Sequence, residues 1–247
     1  MGDSSLKHKP PTFWSPSSVG CSLNGCSVNN DPGSARCIFL AGRLAVIDPR
    51  KILPALCDQA AAESPLTRAT VVGALKFCMH TDTKSVGIDE VKLVLQPIVA
   101  QFLHLLADES LAVVEATLIT LNAIAHHQPG LLRHLFYASR AEAETKETKE
   151  SPNLWPSVFD HMQVKKELKR TVDLGPFKQK VDDGLPLRKA SLTCMDTMLS
   201  TMPQLVDVET FMPHLKSGLE EREYDVKMLC HQILIKLCDQ FPAQVSA

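Results

Sequence analysis

The residues between Lys165 and Lys180 concentrate positive charge in a chain that is close to neutral. This segment holds two acidic residues, Glu167 and Asp173, and six basic ones: Lys165, Lys166, Lys169, Arg170, Lys178 and Lys180. Its net charge is therefore +4, whereas that of the 247-residue chain is −2. A local patch of this kind can attract the acidic surface of another macromolecule.

In the same segment the character of the side chains alternates with a period of two residues, as in a β-strand, and the chain turns at Gly175-Pro176. We therefore predict an antiparallel β-hairpin within residues 164–184, with Arg170 and Val172 on one face of its first arm. A helix over "HMQVKKELKR" (161–170) is an alternative for the first part, because Lys, Glu, Leu and Arg favour helix. An isolated hairpin is only marginally stable in water. The residues alone thus leave a packed structural loop and a projecting binding element as equal alternatives.

The residue types that support catalysis or metal binding are scattered along the chain. The eight cysteines form no CxxC pair, which favours reduced thiols over a disulfide scaffold. The sequence has no GxGxxG, P-loop, GxSxG or HExxH motif. The acidic pairs Asp182-Asp183 and Glu220-Glu221 precede helical segments, where they would complement the helix dipole. We expect a protein that is not an enzyme, without catalytic, cofactor-binding or metal-binding residues.

The segments around the hairpin predict a series of helix pairs. Ser64–His80 has Ser64 as N-cap and Pro65 in the first turn, and Glu109–His127 is apolar nearly all round, so that we expect it to be buried. Similar helices return at Gly184–Met202 and Glu223–Phe241. A helix pair that repeats roughly every 40 residues is typical of HEAT arrays. The sequence predicts an all-α, HEAT/ARM-type α-solenoid of about four to five helix pairs over residues 36–247, with one projecting β-hairpin.

Each predicted unit has an outer helix with a central proline and an inner helix with a charged residue near its start. The prolines are Pro54, Pro97 and Pro213, and the bases are Arg68, Arg188 and Lys227. We expect these bases to bind acidic residues of the turns and so to join neighbouring repeats. Glu115 takes the place of the base in the second unit.

Two further segments have the composition of unstructured chain. Residues 1–35 are rich in Ser, Pro, Gly and Asn and are expected to be disordered, and residues 138–156 are expected to be a flexible insertion rich in Lys and Glu. The N-terminus shows no signal peptide, and the apolar run Cys37–Ile47 is too short for a membrane span. We therefore expect a cytoplasmic or nuclear protein that contacts no membrane. The near-neutral charge also argues against direct nucleic-acid binding.

The frame "KEL.R.V..GPFK..VDDGL..RKA" (166–190) resembles the C-terminal region of the cullin-associated and neddylation-dissociated family. That region is also known as the TATA-binding-protein-interacting domain. The similarity extends upstream through "SPLTRATVVGALKF" (64–77) and downstream through "YDVKMLC" (224–230). It covers about residues 36 to 245. Members of the family are much longer, so we expect this chain to be a truncated or fragmentary member.

The resemblance implies a HEAT solenoid that binds unneddylated cullin–RING scaffolds. Its C-terminal repeats would grip the N-terminal region of the cullin, and its hairpin would compete with the substrate adaptor. The outcome would be the exchange of substrate-receptor modules and the assembly of SCF-type ubiquitin ligases. Transferred to this chain, the partner-binding residues are Lys165, Lys166, Glu167, Lys169, Arg170, Gly175, Pro176, Phe177, Lys178 and Lys180. The alternative is a nuclear HEAT module that binds the TATA-binding protein.

Overall fold

A computed structural model describes residues 32–79, 88–133, 154–173, 175 and 177–245 of the chain. The helices with both ends described are α1 Pro32–Ile47, α2 Pro49–Gln59, α3 Pro65–Met79, α4 Ile88–Leu103, α5 Leu111–His127, α6 Leu154–Asp160, α7 Leu185–Thr201, α8 Val208–Glu220, α9 Tyr224–Gln240 and α10 Pro242–Val245. Residues 130–133 are also helical. Short 3-10 turns cover His104–Ala107, Lys166–Leu168 and Pro203–Leu205. The strands β1 (Lys169–Asp173) and β2 (Lys178–Asp182) pair antiparallel.

The helices form two layers that run along the chain. In the inner layer, α1 packs on α3, α3 on α5, α5 on α7 and α7 on α9. In the outer layer, α2 packs on α4, the 3-10 turn after α4 contacts α6, and the Phe159 ring of α6 stacks on Phe211 of α8. The described residues thus hold four outer–inner pairs preceded by α1. The predicted all-α HEAT/ARM-type solenoid with one β-hairpin is confirmed.

The core follows the inner layer, and α5 shows why. Val113, Val114, Leu118, Leu121 and Ala125 on α5 are all buried, because α3 covers one side of the helix and α7 the other. Burying a side chain of this kind stabilises the fold by roughly 1.5–3 kcal/mol. The apolar character that α5 shows nearly all round is therefore explained by its two neighbours.

Prolines mark the outer layer, as predicted. Pro54, Pro97 and Pro213 lie inside α2, α4 and α8, and all three are exposed. A proline inside a helix removes one backbone hydrogen bond. On an exposed face, water can hydrate the carbonyl that loses its partner, so the outer helices tolerate these residues.

Helix starts also follow local chemistry. Ser64 Oγ accepts the Thr67 N–H at 3.4 Å, which confirms Ser64 as the N-cap of α3.

Among the described helices, none combines the length and the apolar character that a membrane crossing requires.

Two predicted boundaries differ from the structure. Residues 32–35, expected to be disordered, form the start of α1, which extends past the apolar run to Pro32. Proline suits a first helical position, because the N–H that it lacks would have no partner there. Residues 154–156, expected to belong to the insertion, begin α6, since Trp155 packs on the core and stacks on Phe159 with ring centroids 5.7 Å apart. The remaining residues of those two predicted segments, 1–31 and 138–153, lie outside the described part of the chain.

Candidate functional site

The predicted hairpin is present, with shorter arms than the predicted range of 164–184. Its register places Lys169 opposite Asp182, Val172 opposite Gln179 and Thr171 opposite Lys180. The preceding residues form the 3-10 turn Lys166–Leu168 and not a longer helix. Leu174 and Pro176, assigned to the arm and the turn, lie outside the described residues.

The two faces of the hairpin differ in chemistry, as the alternation predicts. One face carries the half-buried Val172 and Val181. The other carries three lysines, Lys169, Lys178 and Lys180. Asp182 and Asp173, the strand partners of Lys169 and Lys178, lie on this face too, so the hairpin turns a face with charges of both signs away from its more apolar one.

The tip combines a special backbone conformation with an exposed aromatic ring. Gly175 has φ +84°, a conformation that glycine adopts without strain, and its N–H donates to Asp173 Oδ1 at 3.1 Å. Phe177 follows with 73% of its surface exposed. Packing against the described residues leaves most of this ring free, so the tip presents a large apolar group to solvent.

Local contacts anchor the base of the hairpin. The Arg170 guanidinium donates from Nε and Nη2 to the two carboxylate oxygens of Asp183, at 2.6 and 3.2 Å. The Asp183 N–H donates to the Leu168 carbonyl at 3.0 Å, and the Leu168 side chain packs on the core. These contacts position the strands relative to α7.

A buried arginine joins the hairpin to the next repeat. Arg188, 1% exposed, donates to both carboxylate oxygens of Asp182 at 3.3 and 2.9 Å. Its Nε also lies 2.7 Å from Glu221 Oε1, off the line of a straight hydrogen bond. Asp182 thus binds Arg188, and it also accepts the Gly184 N–H at 3.1 Å near the start of α7. The predicted dipole role of this carboxylate is therefore secondary to an ion pair.

The two acids around Arg188 respond to it differently. Burial opposes the ionisation of Asp182, but the hydrogen bonds and charge of Arg188 outweigh it and hold the pKa of Asp182 below its usual value. Burial raises the pKa of Glu221, and the charge of Arg188 offsets only part of that rise. Glu221 Oε2 is buried and has no hydrogen-bond partner among the described residues. Arg188 therefore compensates Asp182 more completely than Glu221.

The first repeat has an equivalent ion pair. Arg68 on α3 donates from Nε and Nη2 to the Asp108 carboxylate at 2.7 and 2.9 Å, and from Nη1 to the Ala62 carbonyl at 2.7 Å. Both Asp108 and Glu221 lie shortly before the next inner helix. The expected role of Arg68 and Arg188 in joining repeats is confirmed. Lys227, the third such base, has no ion pair within the described part of the chain.

The structure divides the predicted partner-binding residues into neutralised and free charges. Lys165 Nζ lies 2.5 Å from Asp160 Oδ2, and the Arg170 guanidinium binds Asp183. Lys169 Nζ lies 3.6 Å from Asp182 Oδ2. Lys166, Lys178 and Lys180 are exposed and have no ion pair among the described residues. Glu167, Gly175 and Phe177 are also exposed, whereas Pro176 lies outside the described residues. The available positive charge is thus smaller than the local sequence indicates.

No metal centre accompanies the hairpin in the described ranges. Across residues 32–79, 88–133, 154–173, 175 and 177–245, no three or more His, Cys, Asp or Glu side chains are grouped to hold a metal ion. None of the six cysteines in these ranges forms a disulfide bond, and Cys78, Cys194 and Cys230 are buried.

Comparison with known proteins identifies relatives over most of the chain. Residues 148–247 match the model of the TIP120 family, described as TATA-binding protein interacting (TIP20). The Arabidopsis thaliana cullin-associated NEDD8-dissociated protein 1 is 40% identical over 207 residues, which is 83% of this chain and 15% of that protein. The Dictyostelium discoideum protein of the same name is 37% identical over 216 residues, or 86% of this chain and 16% of the relative.

A third relative is itself described as a part. The Emericella nidulans "cullin-associated NEDD8-dissociated protein 1, C-terminal part" is 31% identical over 218 residues, 87% of this chain and 18% of that protein. The chain spans about one sixth of the length of these curated relatives. A solved chain from a study of Kap95p binding to RanGDP has a TM-score of 0.46 and 15% identity, over 94% of this chain and 31% of that one.

The resemblance predicted from the residues is confirmed by these findings. Residues 148–247 contain the hairpin, Arg188 and Glu221, so the family model covers the whole candidate site. Residues 148–247 match the TIP120 family model, and most of the chain is similar in sequence to the cullin-associated NEDD8-dissociated proteins.

Proposed function

We propose that the chain is a non-catalytic interaction module that binds a cullin through its C-terminal repeats and hairpin. The hairpin then occupies cullin surface that a substrate adaptor also uses. The similarity to cullin-associated proteins over 83% to 87% of the chain supports the partner class. The observation that carries the role of the hairpin is Phe177, an aromatic ring left 73% exposed at the tip of a structured element.

The chemistry of the tip suits a protein partner. Aromatic side chains are frequent energetic centres of interfaces, and burying the Phe177 ring would contribute roughly 1.5–3 kcal/mol. The unpaired Lys166, Lys178 and Lys180 would steer the hairpin towards an acidic surface and raise the association rate. We expect a partner site with an apolar depression surrounded by carboxylates.

Competition for one surface would give the module its regulatory effect. If hairpin and adaptor bind the same part of an unneddylated cullin, each lowers the apparent affinity of the other. Repeated binding and release would then promote the exchange of substrate-receptor modules and the assembly of SCF-type ubiquitin ligases. This activity would operate in the cytoplasm, the nucleus or both.

Binding of the full chain to the N-terminal region of a cullin, followed by calorimetry, tests the proposal. Phe177→Ala should weaken binding at least about tenfold, which corresponds to about 1.4 kcal/mol. Leu93→Ala is the control, because Leu93 on α4 is 71% exposed and lies outside both the hairpin and the C-terminal repeats. Addition of the substrate adaptor should displace the chain.

The outcomes separate the parts of the proposal. Absence of binding by the unmodified chain would contradict the cullin as partner. Binding that survives both Phe177→Ala and the double change Lys178→Glu/Lys180→Glu would remove the role of the hairpin. Simultaneous binding of chain and adaptor would exclude competition.

A second candidate function rests on the description of the family model. That description is TATA-binding protein interacting, and it applies to residues 148–247. In this case the same solenoid surface would bind the TATA-binding protein in the nucleus. A binding assay that contains both the cullin and the TATA-binding protein distinguishes the two functions by which partner is retained.

A further inference from the structure

A groove lies between the inner helices α5 and α7, beside the base of the hairpin. Its volume is about 350 Å³, and it is open to solvent. Glu115, Ile119 and Asn122 line it from α5, and Pro186, Lys189 and Ala190 from α7. Glu115 and Asn122 are seven residues apart, which places them on one face of the helix two turns apart.

Glu115 interrupts the charge pattern of the inner helices. In the neighbouring units, Arg68 and Arg188 bind an acid that precedes the next inner helix. Glu115 is half-buried and has no hydrogen bond or ion pair with any described residue. Burial raises the pKa of its carboxyl group, with no compensating cation. The carboxylate is therefore partly desolvated and has no partner charge.

A second acceptor lies in the same groove. Asn122 Oδ1 is buried and accepts no hydrogen bond from the described residues. Lys189 could in principle serve Glu115, but its ammonium group lies 2.7 Å from Asp225 Oδ2. Because Asn122 Oδ1 is buried and lies roughly 10 Å along the helix from Glu115, the acceptor that the groove offers to a ligand is the Glu115 carboxylate, beside the apolar side chains of Ile119, Pro186 and Ala190.

These features indicate which ligand chemistry fits. An unpaired carboxylate repels anions, and among the described residues no group of three or more His, Cys, Asp or Glu side chains surrounds Glu115 to hold a metal ion. A long cationic side chain pairs its charged head with the Glu115 carboxylate and covers the apolar walls with its methylene stem.

We propose that the α5–α7 groove binds a lysine or arginine side chain of a partner protein, with Glu115 as counter-ion. Ile119, Pro186 and Ala190 contact the aliphatic stem. The inference goes beyond the proposed function, since it does not require the partner to be a cullin.

Titration of the full, ¹⁵N-labelled chain with N-acetyl-arginine methylamide, observed by NMR, tests the proposal. N-acetyl-norleucine methylamide serves as the neutral probe of similar shape. We expect a saturable shift of the Asn122 side-chain amide and of the Ala190 backbone signal with the arginine probe only. The dissociation constant should be on the order of 1 mM, because a single side chain buries little surface.

Variants locate the contact. Glu115→Gln keeps the shape of the side chain and should weaken binding of the arginine probe at least fivefold. Glu209→Gln, on the exposed face of α8, should leave it unchanged. Equal shifts with both probes, no saturable shift, or unaltered binding by Glu115→Gln would overturn the proposal. Because the probes contain no cullin, these results are independent of the proposed function.

Discussion

Arg188 on α7 and Glu221, which follows α8, lie 2.7 Å apart between Nε and Oε1. The same guanidinium holds Asp182 at the end of β2. A single buried cation therefore contacts the base of the hairpin and the turn before the next inner helix. Arg188 is one of the largest fully buried side chains among the described residues.

Removal of this cation should destabilise the fold strongly. Arg188→Met removes the buried guanidinium that contacts the carboxylates of Asp182 and Glu221, and we expect the free energy of unfolding to fall by about 3–5 kcal/mol. Urea denaturation of the full chain measures the change. The exposed Arg222→Met is the control and should change stability by less than about 0.5 kcal/mol. Equal stability of the two variants would show that the buried pair contributes nothing.

The ion pair between Arg68 and Asp108 should make stability depend on pH. The side chains are 16% and 7% exposed, and the hydrogen bonds from Arg68 hold the pKa of Asp108 below its usual value. A depressed pKa in the folded state stabilises the fold above the unfolded value of about 3.9. This contribution is lost as the pH falls through the lower, folded-state pKa.

Asp108→Asn isolates that contribution. At pH 7 we expect it to lower the free energy of unfolding by about 1.5–3 kcal/mol, the range for hydrogen bonds to charged groups. The difference from the unmodified chain should stay constant between about pH 5 and 8 and narrow below about pH 4. Denaturation curves across this range measure it. A difference that widens on acidification would contradict the assigned sign.

Truncation of Phe177 and of Phe211 should change the stability of the fold to very different extents. Phe177 is 73% exposed, so Phe177→Ala should change the free energy of unfolding by less than about 0.5 kcal/mol. Phe211 is 0% exposed and stacks on Phe159, so Phe211→Ala should cost about 3–5 kcal/mol. Thermal or urea denaturation compares the two. A large loss for Phe177→Ala would mean that its ring packs within the fold and is not available to a partner.

Gly218 on α8 should resist enlargement because of its neighbour on α9. A Cβ atom added at Gly218 would clash with Cys230 Sγ, and we expect Gly218→Ala to cost about 1–3 kcal/mol. Gly130→Ala is the control, since nothing lies within 4 Å of its added Cβ. Adding Cys230→Ala removes the sulfur and should recover part of the loss. A double-mutant cycle with no coupling would contradict a steric cause.

The exposed apolar side chains of α1 and α9 predict self-association. They include Phe39, Leu40 and Ile47 on α1, and Tyr224, Met228 and Ile235 on α9. Exposed apolar patches of this kind favour contacts between copies. We expect a concentration-dependent rise in mass by light scattering, which Ile47→Lys/Ile235→Lys reduces. A monodisperse monomer at every concentration would be the contrary result.

The local pattern of residues was sufficient to predict most of the fold. The outer helices were predictable from Pro54, Pro97 and Pro213, because a central proline is tolerated where the helix is exposed. The hairpin was predictable because alternation in twos does not suit a helix. The start of α3 was predictable from Ser64 alone, since capping depends on a few neighbouring residues.

The local sequence did not predict which basic side chains of the hairpin remain unpaired, or where the groove lies. Lys165 and Arg170 look equivalent to Lys178 and Lys180 in sequence, but only the fold brings Asp160 and Asp183 against the first two. The pairing of Arg188 with both Asp182 and Glu221 likewise depends on how three elements meet.

The groove depends on a contact across a long stretch of sequence. Glu115 stood out as an exception among the bases, but its surroundings come from α7, which begins 70 residues later, at Leu185. A single sequence carries no signal for such a contact.

The position of Arg188 has a consequence for how the chain responds to a partner. Asp182 ends the hairpin and Glu221 precedes α9, so the two acids move relative to each other whenever the hairpin tilts against the following repeat. A partner that tilts the hairpin must therefore change the free energy of the α7–α9 junction. By thermodynamic linkage, the stacking of the repeats then changes partner affinity by the same factor, and the solenoid and its hairpin form one coupled system.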